Sequence, residues 1–252
     1  MQRITRAIVR QPGKNFADGI TTSNLGIPSF ELALQQHHAY CDAIRKCGVE
    51  VTVLEADERF PDGCFVEDTA VITKEVAIIT KPGDIARLGE ESRIAEILSE
   101  FKKVETILLP GNLDGGDILR VDNHFYIGMS HRTNQEGAKQ LSEILSKYGY
   151  TSSQIPVKTV LHLKTGITYI GNNNYVSIDE FADLFKSSNV IKLDKDENYS
   201  ANCLLINDNL LIPKGFSKSK NEIVKLGYKI IEVEMSEFRK MDGGLTCLSL
   251  LF

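Results

Sequence analysis

The chain has 252 residues, 42% hydrophobic and 25% charged, which excludes disordered, collagen-like and fibrous classes and allows a substantial core. Twenty-nine Lys and Arg against 34 Asp and Glu leave a formal charge of -5, so small-molecule chemistry is expected rather than a nucleic-acid surface. The five cysteines, Cys41, Cys47, Cys64, Cys203 and Cys247, show no CxxC spacing. That pattern suggests neither a disulfide framework nor a zinc knuckle, and points to a reducing compartment. With no signal-like apolar core and no membrane-length apolar run, the expectation is a cytoplasmic protein forming one domain over residues 1–252. Without such a signal, the glycosylation pattern Asn198-Tyr199-Ser200 carries no weight.

In chain order, residues 3–10 read as a strand, and a helix follows with Ala33, His37, Tyr40, Cys41 and Ile44 on one face. Short apolar hairpins then recur over 67–80, 116–129, 165–178 and 200–214. They turn at Lys74-Glu75, Asp122-Asn123, Asn172-Asn173-Asn174 and Asn207-Asp208-Asn209, and Asn and Asp favour tight reversal. Helical spacing follows each hairpin: Ile94, Ile97, Leu98 and Phe101; Ala138, Leu141, Ile144, Leu145 and Tyr148; Phe181, Leu184 and Phe185; Ile223 and Leu226. Gly48, Gly149 and Gly227 stand where left-handed helix caps are expected.

Each unit therefore reads strand, strand, helix, strand. A last strand over 245–252 completes the unit that residues 3–10 begin, giving five units of about 50 residues. The turns near residues 75, 123 and 173 are 48 and 50 apart, and the next comes 35 later. A single unit cannot bury both faces of its small sheet, so five should close into a ring around a central cavity.

In a ring, residues that open the inner strands face one place. These are Glu67-Asp68, Asp114-Gly115-Gly116-Asp117, His162 and, in the last strand, Cys247. Cys247 is either a small buried hydrophobe or a nucleophile beside His162. The other cysteines read as structural. His162 is either a satisfied core residue or a catalyst, and His37, His38, His124 and His131 lack metal-binding spacing. Glu67 and Asp68 lie in an apolar run where an unpaired charge is costly, so they need a cation. Asp114 and Asp117 are either turn residues or, facing that pair, part of a cradle for a planar guanidinium. A thiolate above the guanidinium carbon could attack it.

Eight motifs in order extend this reading: Asp18-Gly19-Ile20-Thr21, Arg59-Phe60-Pro61-Asp62, Phe65-Val66-Glu67-Asp68, Lys81-Pro82-Gly83 followed by Arg87, Leu113-Asp114-Gly115-Gly116-Asp117, Arg132-Thr133-Asn134, Leu161-His162-Leu163-Lys164, and Asp242-Gly243-Gly244-Leu245-Thr246-Cys247. Carrying them, the chain resembles the short bacterial dimethylarginine dimethylaminohydrolases of the guanidino-group-modifying superfamily over essentially its whole length. The resemblance implies a five-bladed pseudo-symmetric α/β propeller with Cys247 as nucleophile, His162 as general acid and base, and Asp114 orienting His162. It also implies that Glu67 and Asp68 hold the guanidinium, Arg87 and Arg132 bind the substrate carboxylate, and Asp62 with the backbone near Ile20 takes the α-amino group. Some relatives carry Glu, one methylene longer, where this chain has Asp114.

The implied reaction is hydrolysis of Nω-methylated L-arginine to L-citrulline and an alkylamine through a thiouronium on Cys247. It calls for a small-molecule methylarginine, no metal or organic cofactor, no nucleic acid and no membrane; a homodimer is compatible with it. Residues 13–28 read as a lid or as an ordinary connector. The rivals are an arginine deiminase and a non-catalytic arginine or methylarginine binder; a zinc site lacks ligand spacing.

Overall fold

Five three-stranded sheets built to one plan make up the chain, whose computed structural model describes residues 3–252. The first sheet contains β1 (Arg6–Arg10) and β2 (Glu50–Leu54), joined across helix Phe30–Lys46. The next three are β3 (Ala70–Ile72), β4 (Val76–Ile79) and β5 (Lys103–Thr106); β6 (Ile118–Val121), β7 (His124–Met129) and β8 (Thr151–Pro156); and β9 (Ile167–Gly171), β10 (Asn174–Ser177) and β11 (Asn189–Lys192). The last comprises β12 (Leu204–Ile206), β13 (Asn209–Pro213) and β14 (Lys229–Val233), after which β15 (Leu250–Leu251) returns to the first. In every sheet the middle strand pairs antiparallel with the inner strand and parallel with the outer one, which returns after a helix.

The ring closes where β1 meets β15, with Ala7 opposite Leu251 and Ile8 opposite Leu250. Ile72, Leu119, Tyr169, Leu205 and Leu251, one from each inner strand, line an axial channel of about 240 Å³. This is the five-bladed α/β propeller that the repeats and the resemblance lead one to expect. Among the described residues, no helix is long and apolar enough to cross a membrane.

Local chemistry accounts for the repeat. The hairpin tips need left-handed backbone, and Asp122, Asn172, Asn173 and Asn207 adopt it with φ of 51°, 51°, 60° and 54°, at lower cost than other non-glycine residues. Gly48, Gly149 and Gly227 end their helical stretches at φ of 79°, 81° and 84°. The helix faces expected from periodicity are buried, apart from half-buried Tyr148 and three exposed residues. Phe101 and Leu226 lie two residues past the helices that end at Ser99 and Val224, Leu184 lies on the outer side of the 3₁₀ turn Asp183–Phe185, and all three are exposed.

The strand expected over 245–252 is also shorter. Only Leu250–Leu251 pairs as a strand, and Thr246–Leu248 instead forms one 3₁₀ turn. His162 is likewise not in a strand but caps the short helix Leu163–Gly166. The same device precedes the other inner strands, at Val66–Thr69, Gly115–Asp117 and Lys195–Ala201. Such a turn points neighbouring side chains in different directions, whereas a strand would alternate them across one sheet. The turns pack closely around the axis: a Cβ on Gly115 would stand 2.0 Å from the Glu67 carbonyl oxygen.

The apolar core lies between sheets and helices of neighbouring units. Ile78 of β4 is fully buried with Ile127, Leu141 and Leu145 of the next unit. Ile78→Ala should therefore cost about 2–5 kcal/mol of folding stability, read as a lower urea midpoint with an unchanged slope.

Candidate active site

The turns beside the ring axis bring side chains distant in sequence to one small hollow. Cys247, His162, Asp68, Arg87, Arg132, Asp62 and Ile20 line it, together with Phe65, Leu161, Met241, Asp242 and Gly243. Its room of about 30 Å³ matches roughly two water molecules. Asp114 lies fully buried behind His162, with Oδ2 2.9 Å from Nε2, while Oδ1 accepts from the Gly83 N–H at 2.7 Å. An aspartate therefore reaches the imidazole here without the extra methylene of a glutamate.

On the other side of the ring, Gly116 donates its N–H to Asp68 Oδ1 at 2.9 Å. Only a glycine fits there, because a Cβ would come within 2.7 Å of His162 Nδ1 and 2.9 Å of Asp68 Oδ1. Asp68 Oδ2 accepts from Arg87 Nη1 at 2.6 Å. The remaining Arg87 nitrogens donate to Glu90 and the Phe65 carbonyl. Arg87 is thus engaged within the protein. The Arg132 guanidinium approaches Asp84 and Asp114 only to 3.7 and 3.9 Å. Asp62 accepts from the Ile20 N–H through both oxygens, at 3.2 and 3.0 Å.

Two acidic residues lie elsewhere. Glu67 is not among the residues lining the hollow; Lys164 Nζ holds one of its oxygens at 2.5 Å and the Thr246 hydroxyl the other at 2.8 Å, beside the axial channel. Asp117, read from sequence as part of a guanidinium cradle, is fully buried and accepts from the Ser130 and Thr133 hydroxyls and the Leu163 N–H. It fixes the turn that His162 caps.

The charges in this small space set one another's protonation. Burial alone would raise Asp68, but the His162 and Arg87 charges outweigh it and hold the carboxyl at about 2. Burial alone would lower His162; Asp68, the Asp114 hydrogen bond and Asp117 instead raise it to about 9. Burial pushes the Cys247 thiol up, with Glu67 and Asp68 adding to the shift and the Gly244 N–H opposing it at 3.3 Å from Sγ. The resting pair is therefore a neutral thiol and an imidazolium. Asp62 is raised chiefly by burial.

Asp68, Asp114 and His162 offer ligand atoms within 4.8 Å of one another. Each carboxylate oxygen already has a donor, Arg87 or Gly116 for Asp68 and His162 or Gly83 for Asp114. The arrangement suits proton handling better than metal ligation. Glu90 and Asn202 were not among the site residues expected from sequence, and Asp242 entered only as the start of the motif that ends at Cys247. Glu90 was visible as the i+3 partner of Arg87, whereas Asn202 carries no local signal.

A family model described as "N,N dimethylarginine dimethylhydrolase, eukaryotic" matches residues 27–249. The chain is 45% identical to N(G),N(G)-dimethylarginine dimethylaminohydrolase of Pseudomonas aeruginosa, over 97% of this chain and 98% of that protein. It is 31% identical to the Streptomyces coelicolor enzyme of the same name, over 97% and 95%. The solved structure of a cysteine-to-serine variant of the Pseudomonas aeruginosa enzyme, complexed with citrulline, superposes with a TM-score of 0.98 at 44% identity, covering all of both chains. By fold, by sequence and by the length of the match, the chain belongs to the dimethylarginine dimethylaminohydrolase family.

Proposed function

We propose that this protein hydrolyses Nω-methylated L-arginine, as asymmetric dimethylarginine or monomethylarginine, to L-citrulline and dimethylamine or methylamine. The observation that carries the reading is one hollow lined by both Cys247 and His162, with Asp114 behind the imidazole and Asp68 beside it. The citrulline complex of the Pseudomonas aeruginosa relative supports the product.

The Cys247 thiolate attacks the guanidinium carbon, and the C–S bond formed gives a tetrahedral adduct. His162 gives its proton to the departing alkylamine as the C–N bond breaks, leaving a thiouronium on Cys247. The neutral imidazole then takes a proton from water, whose oxygen attacks the same carbon. Collapse expels the sulfur, which takes up the proton of the adduct's hydroxyl to return as the neutral thiol, and forms the ureido group of citrulline. Asp114 holds the imidazole in place throughout.

Asp68 faces the guanidinium with the lone pairs that Arg87 and Gly116 leave free. The spare donors of Arg132 suit the α-carboxylate, and Arg87 keeps Asp68 ionised. Asp62 and the Ile20 backbone suit the α-amino group. Phe65, Leu161 and Met241 add apolar lining, which favours a methylated leaving nitrogen over the bare one of an arginine deiminase substrate.

A bound guanidinium also brings positive charge to a thiol that its neighbours otherwise keep protonated, so the substrate promotes ionisation of its own attacker. The hollow is too small for methylarginine, so residues 13–28 act as a lid that lifts on binding. Thr21 and Thr22 tether it through Asp242, which accepts the Thr22 N–H at 2.6 Å and both hydroxyls at 3.2 and 3.0 Å.

Cys247→Ser should release no citrulline from asymmetric dimethylarginine, and the wild type should turn over arginine far more slowly than methylarginines. Citrulline formation measures both, and undiminished release by the variant would remove Cys247 from its role. Substrate-free protein should show no thiolate ultraviolet absorbance at neutral pH and should gain it when a non-hydrolysable guanidinium cation binds.

Folding raises His162 to about 9 from about 6.5 in an unfolded chain. The stability it contributes is complete below about 6.5 and is lost as pH climbs through about 9. Urea midpoints should fall across that window, and Asp114→Asn should shrink the fall while lowering the imidazole titration seen by NMR.

A further inference from the structure

Four of the five units place chemistry at or directly behind the hollow: Cys247 from the first, Asp68 from the second, Asp114 from the third and His162 from the fourth. The unit spanning 195–233 contributes no lining residue. What it offers is Asn202, immediately after the turn Lys195–Ala201 and 5% exposed.

The Asn202 amide is committed to two other turns. Its Nδ2 donates to the Lys164 carbonyl at 3.0 Å and to Thr246 Oγ1 at 3.0 Å, and its Oδ1 accepts the Thr246 N–H at 2.9 Å. Lys164 lies two residues past His162 in the helix that His162 caps. Thr246 immediately precedes Cys247 in its 3₁₀ turn. One amide group therefore ties the turn carrying the imidazole to the turn carrying the thiol.

The surroundings make that tie rigid. A Cβ on Gly244 would lie 2.5 Å from Asn202 Cγ, so the backbone leading to Cys247 passes directly over the amide. Beyond Asn202, the Thr246 hydroxyl donates to Glu67, and Glu67 accepts from Lys164. Asn202, Thr246, Glu67 and Lys164 form a closed circuit of hydrogen bonds beneath the nucleophile.

We propose that Asn202 is a positioning residue for the reaction, setting the separation and alignment of Cys247 Sγ and the His162 imidazole through the two turns it joins. It touches neither reacting atom. This assignment rests on the reading of Cys247 and His162 as nucleophile and proton carrier.

The test compares Asn202→Ala and Asn202→Asp with the wild type on asymmetric dimethylarginine. The aspartate keeps the volume and the acceptor for the Thr246 N–H, but turns an acceptor toward the Lys164 carbonyl. Both variants should lose about 100-fold in kcat, the scale expected when reacting groups are displaced by an ångström. KM should stay within about threefold, because groups suited to the substrate's α-carboxylate and α-amino group sit in other units.

Asn207→Gly serves as the control. At the hairpin tip of the same unit, Asn207 has φ 54° and bonds to Ile4 and Cys47; glycine tolerates that backbone but loses those bonds. It should lower the melting temperature and leave kcat unchanged. Folded Asn202 variants with kcat within about threefold of the wild type would overturn the proposal. So would equal losses of kcat in the Asn207→Gly control. If Asn202→Ala does not fold, Asn202→Asp decides; failure of both to fold overturns the proposal in favour of a structural clip. Cys247→Ser is assayed alongside: residual turnover by it refutes the reading of the site, whereas an inert Cys247→Ser with active Asn202 variants refutes only the positioning role.

Discussion

The pairing of β1 with β15 is the constraint on which the rest depends. Each three-stranded sheet has apolar surface that only a neighbouring unit can cover, so an open chain of five would expose its first and last units. Closing the circle joins segments more than 200 residues apart in sequence. It also brings the turn Thr246–Leu248 beside Val66–Thr69, where Thr246 bonds to Glu67. The geometry of the candidate site is thus a product of closure, and no single unit contains it.

Closure carries an electrostatic cost that the site turns to use. Carboxylates gathered at a buried axis cannot all stay ionised without cations, and the protein supplies Arg87, His162 and Lys164 at close range. The compensation is divided among units: Arg87 bridges Asp68 and Glu90, His162 leans on Asp114, and Lys164 answers Glu67. The hydrogen bond to Cys247 Sγ comes from the Gly244 N–H and not from one of these cations. The thiol is left facing acidic groups, which favours its neutral form until a further positive charge arrives. A thiol held neutral in this way is poorly reactive toward stray electrophiles.

Much of this was legible in the amino-acid order. Hairpin tips announced themselves through Asn172, Asn173 and Asn207, whose side chains tolerate left-handed backbone, and helix ends through Gly48, Gly149 and Gly227. Cys247, His162 and the carboxylates could be singled out because their chemistry is rare on an apolar background. The one-turn helices before the inner strands stayed hidden, since three or four residues are too few to display a helical period. That gap is why Cys247 and His162 read as strand residues, and why the division of Glu67 and Asp68 between two compartments was not foreseen. Asn202 was invisible for a different reason: its partners Lys164 and Thr246 are 38 and 44 positions away, and only the fold brings them together.

Those short turns have a consequence for how the enzyme could diversify. Adjacent residues on them belong to different compartments: Asp68 and Cys247 border the hollow, while Glu67 and Thr246 border the axial channel. The partition between the two is a single residue thick. Enlarging the hollow on that side would therefore dismantle its own wall, whereas Ile20 and Leu161, on connecting segments outside the channel lining, can be remodelled without breaching it. New leaving-group preferences in this architecture are most accessible from those segments.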